Sequence, residues 1–202
     1  MHKSVAFFLS VIFHPVFTNL SSFILLLKWD AYLSARLSGT AWWFYVLYVF
    51  ITTAIIPLVI VVLRKWMGFT DSILLTESED RHVPYITTAT CYLFGYYFFR
   101  EMHVPEVMQA YMLASATIMV AVLATNFFVK ISAHATALGA LFGLLLVLSR
   151  TTGMDMRLVL CGVAGIAGLV LTARLALNAH THAQLYGGFM VGALLMVLIM
   201  GA

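Results

Sequence analysis

The chain reads as an all-α integral membrane protein, a compact bundle of six to seven transmembrane helices built from a single domain over residues 1–202. Three observations predict this. Hydrophobic residues make up 63% of the chain and charged residues only 9%, whereas a soluble domain is about half apolar and a quarter charged. The mean hydropathy is +1.01, and the apolar residues are spread over the whole length rather than confined to one anchor. Finally, the apolar runs have bilayer length, roughly 20 residues each. In lipid every backbone polar group must be paired internally, so a spanning segment is a helix or part of a closed barrel. No barrel-like alternation is evident, and helix remains.

Taken in order, the expected spans cover residues 5–27, 42–63, 84–99, 107–129, 132–149, 157–177 and 184–201. The first does not read as a signal peptide, because it is long, contains His14-Pro15 and is followed by no small-residue cleavage site. The His14-Pro15 step predicts a kink whose freed carbonyl is satisfied by a neighbour. The third span is short and rich in Tyr and Thr, which makes its crossing the least secure of the seven. Pro84 suits its first turn, and the acidic run over residues 77–80 complements the helix dipole there.

Small residues recur at helix-packing spacing: Gly139 and Gly143, Gly188 and Gly192, and the series Gly162, Gly165 and Gly168. Such positions let helix backbones approach closely, so the last three spans are expected to form one compact bundle. Cys91 and Cys161 lie inside apolar runs and behave as small hydrophobes, with no disulfide framework. A net charge of +3, with basic residues at the ends of apolar runs, is not a nucleic-acid signature.

If all seven spans cross, one face collects Lys3, Arg64, Lys65, Arg81, Lys130 and Arg174, six of the 11 basic residues. The same face collects His2, His82, His134, His180 and His182, five of the seven histidines. The resulting six-to-five split of Lys and Arg leaves the orientation undetermined by the positive-inside rule.

Two polar interruptions on that face carry the chemistry. Ionisable groups at membrane depth are costly and point to function. In Lys130-Ile-Ser132-Ala-His134, Ser132 is a good N-cap and His134 falls in the first turn of the following helix. A helix N-terminus favours an anion, and Lys130 adds a full charge beside it. In Arg174-x5-His180-x3-Gln184, Thr181 can cap the last helix, His180 lies in the connection, and Arg174 offers a planar fork to phosphate oxygens. Arg81 stands in a polar loop before Pro84 and is a further candidate for a phosphate contact. His180-x-His182 has the look of a metal pair, but no Cys, Asp or Glu lies nearby in sequence to complete it, and no metal or other cofactor is expected.

These two segments resemble the second and third motifs of the type 2 phosphatidic acid phosphatase (PAP2) superfamily, which read Pro-Ser-Gly-His and Ser-Arg-x5-His-x3-Asp. Here they appear as Ile131-Ser132-Ala133-His134 and Ala173-Arg174-x5-His180-x3-Gln184, about 40 residues apart, followed by a Gly-Gly-Phe-x-x-Gly helix. The resemblance covers mainly residues 130–202. Arg81-x-x-Pro84 occupies the place of the first motif, Lys-x6-Arg-Pro, without matching it.

The resemblance implies a PAP2-like fold and a phosphatase that acts on a phosphorylated lipid through a covalent phosphohistidine, in a bacterial inner (cytoplasmic) membrane. By position His180 is the nucleophile and His134 the acid that protonates the leaving alkoxide. Arg174, Ser132, Lys130 and Arg81 would stabilise the phosphate oxygens, and Gln184 stands where the family has the aspartate that orients the nucleophile. Two other functions are compatible with the sequence. One is a non-catalytic binder or carrier of anionic lipid on the same fold, motivated by Gln184. The other is a small transporter, motivated by the His14-Pro15 break.

Overall fold

The computed structural model describes residues 1–69 and 82–201, and among these the secondary structure is helical with no strand. Five helices are long and apolar enough to cross a membrane, or six when the bent N-terminal pair counts as one span. That pair is α1 (Lys3–Ile12) and α2 (Pro15–Trp29), bent by 44° at its junction. The cause is local. Pro15 has no N–H to give Val11, so the His14 N–H turns to the Val11 carbonyl at 3.3 Å. Pro15 then starts α2, with the His14 ring capping it.

The short α3 (Ala31–Arg36) is capped by Asp30, whose carboxylate accepts from the Leu33 N–H at 2.9 Å. Next, α4 (Gly39–Phe50) runs through one π turn, Ile51–Ile55, into α5 (Ile56–Trp66). The π turn lies just before Pro57, whose ring would clash with the carbonyl four residues earlier in a regular helix. Thr52 and Thr53 satisfy the neighbouring carbonyls of Tyr48 and Val49, at 2.9 and 2.7 Å.

Then come α6 (His82–Glu101), α7 (Glu106–Asn126), α8 (Ala133–Thr152), α9 (Arg157–Ala176) and α10 (His182–Met200). All seven expected spans fall on these helices. The third lies within α6, which has the length to cross but is not among the five apolar enough to do so. Its Thr and Tyr content accounts for the difference. Gly153, with φ +67°, stops α8 in the left-handed conformation that glycine adopts without strain.

The core is centred on α2, α7 and the aromatic residues of α6, with Phe23, Phe99, Tyr111, Met108 and Met112 fully buried. The tightest contact joins α8 and α10. A side chain at Gly139 would strike the backbone of Phe189, and one at Gly192 the backbone of Thr136. A Cβ at Gly143 would sit 2.6 Å from the Ala193 carbonyl, and one at Gly188 3.0 Å from that of Ser132. These four glycines are the seam expected of them.

The Gly162, Gly165 and Gly168 series is different. Nothing lies within 4 Å of a Cβ built at any of the three. α9 packs on α1 and α8 through Val163, Ala167, Val170 and Ala173, and its glycines face outward. The expectation that they close the last three helices together is therefore corrected: their three- and four-residue spacing follows the helix period, but on the face away from α8.

The helix ends sort into two groups. His82, at the start of α6, stacks on Phe127, just past the end of α7, with ring centroids 4.5 Å apart. The Ser132 N–H, at the start of α8, donates to the Gln184 carbonyl of α10 at 3.3 Å. At the opposite end, Asp30 and Tyr32 meet the α6–α7 turn around an open cavity of about 790 Å³. These contacts keep the connections before α8 and α10 together and place the α6–α7 turn beside the start of α3.

Candidate functional site

The starts of α8 and α10, the end of α9 and the α1–α2 break converge at one end of the bundle. Ser132 caps α8, its hydroxyl accepting from the Ala135 N–H at 3.4 Å, and the residue is fully buried. Its hydroxyl is thus used to organise the helix end and is not exposed. His134, in the first turn of α8, is partly buried. Its Nε2 lies 3.0 Å from the Ser10 carbonyl. A carbonyl only accepts, so this nitrogen carries the proton, and in the neutral ring Nδ1 carries the lone pair.

The Ser10 carbonyl is available because of the break. In an unbroken helix it would accept from the N–H of residue 14, which here bonds to Val11 instead. The neighbour that satisfies the freed carbonyl is thus His134. The same break brings the His14 ring to a T-shaped contact with His134, centroids 5.4 Å apart. His14 and Ser10 are site residues that sequence reasoning did not assign. The available signal was Pro15, which dictates that a carbonyl one turn earlier needs another donor.

On α10, Thr181 is the N-cap, and Thr181 and Gln184 form a reciprocal capping box. Gln184 Oε1 accepts from the Thr181 N–H at 3.2 Å. A backbone N–H only donates, which fixes that amide atom as the oxygen. The same oxygen lies 3.2 Å from His180 Nδ1, so Nδ1 holds the proton and Nε2 carries the lone pair. Asn178, with φ +52°, turns the chain from α9 into this connection.

Arg174 sits in the last turn of α9, and its carbonyl accepts from the Ala179 N–H at 3.1 Å. Its charge bears on both His14 and His134, and His180 also acts on His134. The structure thus brings together His134, Arg174, His180, Gln184 and Ser132. Lys130 lies partly buried in the connection immediately before Ser132. Arg81 falls outside the described residues. His182 is exposed and stacks on Tyr186, centroids 6.2 Å apart. Among the described residues no group of three or more His, Cys, Asp or Glu side chains could hold a metal ion.

Chemically, the arrangement is a pair of histidines, each with one ring nitrogen hydrogen-bonded to an uncharged carbonyl oxygen, in the field of a guanidinium. An apolar cavity of about 210 Å³ lies alongside, lined by Phe17, Thr18, Leu138, Leu141, Val163 and Ile166. Leu138 is one helical turn beyond His134, so the cavity begins just inside the polar cluster. Comparison with protein-family models, with curated proteins and with solved structures finds no match to this chain.

Proposed function

We propose that the protein is a membrane lipid phosphatase of the type 2 phosphatidic acid phosphatase kind, hydrolysing a lipid phosphate or diphosphate through a phosphohistidine. The observation that carries this reading is the complementary pinning of the two histidines beside Arg174. In the first step the His180 Nε2 lone pair attacks phosphorus and the P–O bond to the lipid breaks. His134 takes a proton at Nδ1 as the charge of the bound phosphate offsets that of Arg174, and the leaving alkoxide then takes this proton while the Ser10 carbonyl holds the Nε2 proton. In the second step water, deprotonated by His134, cleaves the N–P bond and returns the lone pair to His180. Phosphoryl transfer depends mainly on positioning and charge neutralisation, which Arg174 and the α8 start supply. The adjoining apolar cavity accommodates part of a hydrocarbon chain.

The test is release of phosphate from phosphatidate, phosphatidylglycerophosphate or polyprenyl diphosphate by the purified protein. Trapping of a phosphohistidine on the wild type and its loss in His180→Ala support the reading. No release from any of the three, or full activity in His180→Ala, overturns it.

One observation favours a second reading, a non-catalytic binder of anionic lipid. Gln184 Oε1 is uncharged and shared between His180 and the Thr181 N–H, as a helix cap alone would require. A wild type that binds phosphatidate but releases no phosphate, and gains release on Gln184→Asp, supports this second reading.

A further inference from the structure

We infer that the α1–α2 break is a built part of the anion site: Pro15 frees the Ser10 carbonyl that orients His134, and His14 donates its Nε2–H to the bound phosphate. This rests on reading the cluster as a phosphate site. The argument for Pro15 is one of hydrogen-bond supply. With an N–H at residue 15, Val11 would have its helical donor, the His14 N–H would return to Ser10, and the carbonyl that His134 now uses would lie along the helix with one of its two lone pairs occupied. Pro15 is therefore a positioning residue acting through Ser10.

The argument for His14 is one of tautomer. Its Nδ1 accepts from the Val16 N–H at 3.4 Å as the cap of α2. In the neutral ring the proton then sits on Nε2. His14 is an exposed residue whose ring touches that of His134 and lies in the field of Arg174. A neutral N–H donor beside a guanidinium adds a directed hydrogen bond to an anion without adding a second repelling charge.

Nitrogen NMR of isotope-labelled histidines, with inorganic phosphate as the probe, tests both parts on the full chain in detergent. Addition of phosphate to the wild type is expected to shift the His14 and His180 signals, with His14 protonated at Nε2. His14→Ser keeps a capping oxygen but no ring donor and is expected to weaken phosphate binding by about tenfold or more. His14→Gln restores an N–H donor and is expected to recover most of it. Pro15→Ala, which strengthens the helix locally, is expected to remove the Nε2–H preference of His134. A His14 signal that stays still while that of His180 moves overturns the inference and leaves the phosphate site standing. If no histidine signal moves, both fall. An unchanged His134 tautomer in Pro15→Ala, or a His14→Ser protein that binds phosphate like the wild type, also overturns it.

Discussion

The Nδ1 atom of His180 lies 3.2 Å from Oε1 of Gln184, one turn along the start of α10, so an uncharged acceptor holds the Nδ1 proton and, in the neutral ring, leaves the lone pair on Nε2. That oxygen fixes the tautomer as a carboxylate would, but it could not balance the positive charge that the proposed phosphorylation would place on the ring. In serine proteases, exchanging the orienting aspartate for its amide costs about 10⁴ in turnover. Gln184→Asp is therefore expected to raise phosphate release by at least about tenfold, some 1.4 kcal/mol of barrier. Gln184→Ala is expected to lower it. Turnover of both variants on phosphatidate checks the pair, and equal rates in the two would show that the side chain only caps the helix.

His134→Ala is expected to lower turnover roughly 10²–10⁴-fold, the contribution typical of a positioned acid–base group. The loss should shrink with a substrate whose leaving group needs no protonation, such as a nitrophenyl ester. Comparing the two substrates isolates proton transfer. An equal loss on both would assign His134 a binding role instead.

Gly192→Ala and Gly139→Ala place a methyl group against the backbone of the facing helix and are expected to destabilise by about 1–3 kcal/mol or more. Gly165→Ala meets open space and is expected to be neutral or to gain up to about 1 kcal/mol from helix propensity. Melting in a single detergent ranks the three. A Gly165→Ala loss matching the other two would mean that α9 has a close neighbour on its outer face.

Tyr111→Phe removes a hydroxyl that donates to Asn19, whose backbone and side-chain oxygens lie 2.8 and 2.9 Å away. It ties α7 to α2 within the buried core. The expected cost is about 1 kcal/mol, with phosphate release unchanged. Denaturant titration together with an activity assay reads both, and a lost activity at unchanged stability would tie this contact to the site.

Much of this was legible in the sequence, and the reasons are physical. Bilayer-length apolar runs dictate helices, and the Ser132 and Thr181 caps are local hydrogen-bond rules that hold whatever packs around them. The meeting of His134 with His180 follows from helix parity and from the seam at Gly188 and Gly192. Other features were not local. Which side of α9 carries its neighbours depends on where α1 lies, and glycine spacing alone is the same for a packed face and an open one. His14 joined the site only when α1 and α2 were laid against α8 and α9, because the two segments are more than a hundred residues apart in the chain. The role of Arg81 lies outside the described residues.

His134 rides on α8 and His180 directly precedes the cap of α10, two helices whose backbones interlock at four glycines, whereas Arg174 rides on α9, whose glycines meet no neighbour. Mechanically this is a vice with one fixed jaw and one adjustable jaw. In a phosphate site the two rings would keep their mutual register whatever sits between them, and α9, with no such seam, would be the helix left to adjust the cation to head groups of different size. Selectivity for the head group would then be tuned by what α1 and the bilayer press against α9, without touching the pair of rings.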